Sequence, residues 1–188
     1  MTHRLIALTG VPGTGKTTLA KLVAKLGGDK IRVIHLNEFA QQHDLHGDPD
    51  PSHHDAIEID LDELDSAIAK ATEDEARPVL IEGHFAHDLA CDGIVLLRTH
   101  PHTLIARLEA RDWPQSKVRD NVEAEALDVI VSEVMDADSI PSFELNTGEN
   151  NPDKLAILIL QFVQGQLPQG ATPIGTAPWG PADLPWLN

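Results

Sequence analysis

Residues Gly10-Val-Pro-Gly-Thr-Gly-Lys-Thr17 satisfy the pattern G-x-x-x-x-G-K-[ST], and no other stretch restricts the fold of this chain as strongly. They follow a short apolar run, Leu5-Ile-Ala-Leu-Thr9, and precede Leu19, Leu22, Val23 and Leu26, which recur at helical spacing up to Gly27-Gly28. Chance alone produces the pattern in about one chain of this length per hundred, so its position between an apolar run and an amphipathic stretch carries as much weight as the match. The sequence therefore predicts a strand, a loop and a helix in succession. Gly13 and Gly15 are expected to let backbone N–H groups turn inward around a phosphate, with the helix N-terminus adding its positive dipole. Lys16 would neutralise terminal phosphate oxygens, Thr17 would offer its hydroxyl to Mg²⁺, and Thr18 would donate a further hydrogen bond.

Four further short runs read as strands: Arg32-Val-Ile-His-Leu36, Val79-Leu-Ile-Glu-Gly83, Ile94-Val-Leu-Leu-Arg98 and Phe143-Glu-Leu145. Helical stripes separate most of them. Leu61, Leu64 and Ile68 make one, Leu104, Ile105 and Leu108 a second, Val122, Leu127, Ile130 and Val134 a third, and Leu155, Leu158, Ile159 and Phe162 a fourth. Alternation of this kind predicts an α/β fold, a parallel sheet with helices on both faces. The 188 residues suit one domain, residues 1–166, followed by a tail, 167–188. Gly165–Asn188 holds five prolines, four glycines and a single charge, Asp183, and is expected to be extended or disordered. His43–Asp55, with four histidines, four aspartates, Gly47, Pro49 and Pro51, reads as a mobile loop.

The formal charge of −16 excludes nucleic-acid binding through bulk positive charge, so phosphate binding must be local. Residues 1–36 carry a net +5, residues 37–75 a net −12 and residues 120–153 a net −10. Between the acidic blocks lies a second basic island containing Arg98, Arg107, Arg111, Lys117 and Arg119. On a continuous helix Arg107 and Arg111 stand at i and i+4, as a two-pronged phosphate clamp requires; the alternative for both is a surface salt bridge to Glu109 or Asp112. One cysteine, Cys91, permits no internal disulfide, and no apolar stretch reaches the 18 residues of a membrane helix; a reducing, cytoplasmic location is expected. A guanine-specific GTPase needs an Asn-Lys-x-Asp element, which this chain lacks.

Several segments together now identify a family resemblance. They are Leu8-Thr-Gly-Val-Pro-Gly-Thr-Gly-Lys-Thr-Thr18, His35-Leu-Asn-Glu-Phe39, Ile81-Glu-Gly-His84, Val95-Leu-Leu-Arg-Thr99, Arg107-Leu-Glu-Ala-Arg111 and Asn121-Val-Glu-Ala-Glu-Ala-Leu127. In this order they resemble the adenylate kinase isoenzyme 6 family, particularly its archaeal members, over about residues 4–162. The resemblance implies a P-loop nucleoside monophosphate kinase fold with a five-stranded parallel sheet, an insert that binds the monophosphate at about 37–60 and a lid at about 110–120. It implies ATP + AMP ⇌ 2 ADP with Mg²⁺, with Gly13, Gly15, Lys16, Thr17 and Thr18 on the ATP phosphates and Arg111 as the lid arginine on ATP. Arg107 and Arg98 look similarly placed to stabilise the moving phosphoryl group. Members are also described as ATPases that assist small ribosomal subunit maturation by binding a small-subunit ribosomal protein. The acidic blocks of this chain would suit such a basic partner.

Glu82-Gly-His84 stands where the family has an acid, one residue and a histidine. Glu82 is expected to hold Mg²⁺ through water, and His84 to orient a water or a phosphate. Human-type members carry Asp at the Glu82 position, and glycine is usual where this chain has Asp112. The histidines at 43, 46, 53, 54, 84 and 87 also admit a zinc reading, which the lack of a cysteine cluster disfavours. Trp113 suits packing or base stacking, and Trp179 and Trp186 suit docking on the chain itself or on a partner.

Overall fold

Five short strands form one parallel sheet. The computed structural model describes residues 4–50, 56–137, 139–148 and 150–187. The strands are β1 (Leu5–Thr9), β2 (Arg32–His35), β5 (Val79–Glu82), β6 (Gly93–Arg98) and β7 (Ser142–Asn146), in the order β2-β5-β1-β6-β7 across the sheet. Every pairing within this sheet is parallel. Parallel neighbours need crossovers, and the helices supply them.

Strand alternation sorts the core into two layers. Ile6, Leu8, Leu80, Val95 and Leu97 face α1 (Lys16–Gly27) and α7 (Pro152–Val163). Ala7, Ile81, Ile94 and Leu96 face the other layer, built from α3 (Leu61–Thr72), α4 (Pro101–Glu109), α5 (Gln115–Ala126) and α6 (Val129–Asp136). Central strands covered on both sides read as unbroken apolar runs, which is why periodicity located them. β1 lies between β5 and β6, and the connections diverge to either side of it. The crevice at its C-terminal end is the ligand position of an open α/β sheet.

Three expectations need correction. Val122, Leu127, Ile130 and Val134 do not lie on one helix: α5 ends at Ala126 and α6 starts at Val129. Asp128 between them adopts a left-handed conformation (φ 56°) and gives its carboxylate to Arg98 at 2.6 Å, so the chain turns where an apolar pattern alone would continue. The segment after α2 (Leu36–Gln42) is not a loop throughout. β3 (His46–Asp50) pairs antiparallel with β4 (Ala56–Ile59), while residues 51–55 lie outside the described residues. A two-stranded ribbon tolerates Pro49 because proline lacks only an N–H that one side of such a pair does not need.

The proline-rich tail is folded against the domain. Glu144 of β7 donates its backbone N–H to the Thr172 carbonyl at 2.8 Å, which covers the sheet edge. Leu184 is buried in the helical layer, Trp179 packs edge-on to His100, and the Trp186 indole donates to Glu123 at 2.9 Å. Both tail tryptophans therefore dock on the chain itself.

Candidate active site

The turn from β1 into α1 is shaped by glycine at two points. Gly13 has φ 94°, and a Cβ there would lie 2.7 Å from Leu104 Cδ1 and 2.9 Å from Leu108 Cδ2. Gly15 caps α1 with φ 96° in open space, so its requirement is conformational rather than steric. Inside the loop the Lys16 ammonium donates to the Gly10 carbonyl at 2.7 Å and to Val11 at 3.2 Å. Burial lowers its pKa from 10.5 to about 8, with Glu82 opposing the shift and Arg111 adding to it. His84 sits beside it, Nδ1 3.4 Å from the Gly10 carbonyl, and burial followed by the Lys16 charge holds its pKa below the usual histidine value.

A lowered lysine pKa has a testable sign. The folded group releases its proton through pH 8 while the unfolded one keeps it until 10.5, so this lysine favours the fold increasingly as pH rises between those values. Phosphate needs the charged form. If the loop holds a nucleoside triphosphate, as its sequence predicts, affinity for magnesium-ATP is expected to fall about tenfold from pH 7 to pH 9, with uptake of about half a proton on binding at pH 8. Titration calorimetry in two buffers of different ionisation enthalpy measures both quantities, and a flat affinity up to pH 9.5 would contradict the assignment.

Parallel register brings the next group in. His35 and Glu82 are paired neighbours at the ends of β2 and β5. Glu82, 7% exposed, accepts from the Thr17 hydroxyl at 3.1 Å through Oε1, and its Oε2 lies 2.8 Å from His35 Nδ1. One hydroxyl and one carboxylate at the loop mouth suit a hard divalent cation that keeps several waters. Among the described residues no group of three or more His, Cys, Asp or Glu could hold a metal; His53, His54 and the His46 side chain lie outside them.

The three arginines have different environments. Arg98 is 2% exposed and bonds Glu125 at 2.8 Å, Asp128 at 2.6 Å and Glu144 at 3.4 Å. The expectation that it attends the moving phosphoryl group is therefore corrected: its guanidinium is consumed inside the fold. Arg107 donates to the Gly13 carbonyl at 3.2 Å and the Thr147 carbonyl at 2.8 Å, tying the phosphate loop to the turn after β7. Arg111 lies beyond the end of α4, in a turn completed by Asp112 in the left-handed region (φ 55°). Asp112 thus occupies the conformation glycine would favour, and Arg111 lines one cavity together with Arg107 from this turn rather than from the helix itself.

Two cavities meet at the loop. The larger, about 470 Å³, extends from Lys16, Thr17 and Thr18 to Asn37, Glu82 and His84. The smaller, about 340 Å³, lies between the loop, Arg107, Thr147, Asn150 and Leu155. Gly13, Gly15, Thr18 and Arg111 line both. The predicted residues Gly13, Gly15, Lys16, Thr17, Thr18, Glu82, His84, Arg107 and Arg111 all line one or both chambers, and Arg98 does not. His35, Thr147 and Asn150 escaped sequence reasoning. A strand-end histidine carries no register information, and the polar Asn146-Thr-Gly-Glu-Asn-Asn-Pro152 turn was the one available signal for the other two.

Comparison with known proteins agrees with this fold. The AAA domain family model matches residues 6–128. A "Putative adenylate kinase" of Natronomonas pharaonis is 39% identical over 86% of this chain and 90% of its own. The protein of the same name from Methanococcus maripaludis is 35% identical over 88% and 91%, and that from Methanosarcina acetivorans 33% identical over 98% of each chain. The YorR protein of Bacillus subtilis, solved in complex with phosphorylated GDP, shares the fold, with a TM-score of 0.53, 18% identity and coverage of 85% of this chain and 95% of that one. With its phosphate loop, its five-stranded parallel sheet and relatives of this kind along nearly all its length, the chain belongs to the AAA-domain P-loop family and, within it, to the archaeal-type adenylate kinase family.

Proposed function

We propose that the chain transfers the terminal phosphoryl group of ATP to AMP, giving two ADP. The observation that carries this reading is the pair of cavities sharing Gly13, Gly15, Thr18 and Arg111, one chamber for each nucleotide on either side of the loop. ATP occupies the chamber of Arg107, Thr147 and Asn150, with its terminal phosphates against Lys16. AMP occupies the larger one, and an oxygen of its phosphate attacks the terminal phosphorus as the bond to the ADP oxygen breaks in line. Lys16 and Arg111 meet the charge that spreads over the transferred group, and His84 orients the acceptor phosphate. Thr17, and Glu82 through water, hold Mg²⁺. When bound, the ion neutralises phosphate charge.

The segment around 37–60 is the acceptor insert, and residues 110–120, the turn after α4 with the first residues of α5, are the lid. Among the described residues no helix is long and apolar enough to cross a membrane. We place the chain in the cytoplasm on its single cysteine, Cys91, which permits no internal disulfide. The experiment is a coupled assay of ADP formation from ATP with each nucleoside monophosphate in turn. AMP-dependent ADP formation is expected, and equal rates with and without every acceptor would remove the reading. That second outcome, with hydrolysis stimulated by a basic small-subunit ribosomal protein, would favour an ATP-driven assembly factor. The charge of −12 over residues 37–75 supports that second reading.

A further inference from the structure

The larger cavity is lined by two carboxylates, Glu38 and Glu82, and by the cations Lys16, Arg111 and Lys117. Residues 37–60 hold seven acids and no Lys or Arg, and α2 presents Asn37 and Glu38 to the chamber. Glu82 adds a second carboxylate, already engaged with Thr17 and His35. A monophosphate entering this chamber therefore meets no lysine or arginine on its own side. Lys16 belongs to the loop, and Arg111 lies where the two chambers join. The remaining cation lining the larger cavity is Lys117, on the first turns of α5. It lines that chamber and not the smaller one. Its Nζ lies 4.4 Å from the centroid of the half-buried Trp113 ring, which itself lines the cavity, and its backbone carbonyl accepts from Asn121 Nδ2 at 2.7 Å. Stacking on the indole restricts a side chain that otherwise has four free torsions, so the charge is presented with less ordering cost on binding.

We propose that Lys117, steered by Trp113, holds the phosphate of the acceptor nucleotide, supplying from α5 the positive charge that the acceptor insert lacks. The proposal rests on the reading of the larger cavity as the AMP chamber. One charge-assisted contact of this kind changes affinity by roughly ten- to a hundredfold.

The test is steady-state kinetics on the full chain with ATP and AMP varied independently, for the wild type, Lys117→Met and Lys117→Arg. Lys117→Met is expected to raise KM for AMP at least about tenfold while KM for ATP stays within about twofold, and Lys117→Arg to recover most of the loss. A purely structural lysine would move both constants together or neither, and either result would overturn the proposal. If the wild type forms ADP independently of AMP, the functional reading falls and takes this inference with it. If the wild type depends on AMP and Lys117→Met leaves KM for AMP unchanged, the inference alone falls.

Discussion

Replacing Lys16 with Met is expected to lower kcat/KM for ATP about 10³-fold, equivalent to about 4 kcal/mol of transition-state stabilisation. The ammonium is the one cation enclosed by the loop, held by the Gly10 and Val11 carbonyls where phosphate charge would concentrate. Methionine preserves length and bulk, so the variant isolates charge from packing. Its thermal midpoint should be unchanged or raised, because the folded protein already disfavours this ammonium through burial. Steady-state assay beside thermal denaturation separates the two effects. Wild-type turnover in a folded Lys16→Met protein would mean that triphosphate is not bound here.

Arg98→Met should leave nucleotide contacts untouched and destabilise the fold by about 3–5 kcal/mol. The guanidinium neutralises two carboxylates that are themselves 3% exposed, Glu125 and Glu144, and removing it leaves both charges buried. For a domain of this size the expected fall in thermal midpoint is about 10 °C. Burial already raises the Glu125 pKa, with Arg98 opposing the rise. Without Arg98 the carboxyl should protonate more readily as pH falls, so the deficit should narrow toward pH 5. Adding Glu125→Gln should recover part of it. A deficit below about 1 kcal/mol, or one independent of pH, would show that the network contributes little.

The difference between Arg98 and Lys16 also shows how far a linear sequence reaches. The phosphate loop, the five strands and α1 were legible because each depends on local geometry or on a short apolar run buried on both faces. Arg98, at the end of such a run and beside a basic island, reads as another phosphate ligand. Its role is decided by Glu125, Asp128 and Glu144, which lie 27, 30 and 46 residues away and meet it only once the sheet and α5 have packed. Parallel register is equally invisible, and with it the contact of His35 with Glu82. The histidine-rich segment concealed a ribbon because Pro and Gly mark turns in sequence while backbone pairing leaves no apolar signature.

The tail is joined to the phosphate loop by continuous hydrogen bonding. Gly175 and Thr176 donate to Glu144, which receives Arg98; Arg98 and the Thr99 N–H share Glu125; Thr99 and Arg107 meet at Thr147, whose hydroxyl donates to the Thr14 carbonyl at 2.7 Å. Low-complexity composition would normally allow such a segment to vary freely. Here mutational tolerance should follow depth instead: polar replacements at Trp179 or Leu184, 7% and 3% exposed, should be rejected, and those at Leu187, 64% exposed, accepted.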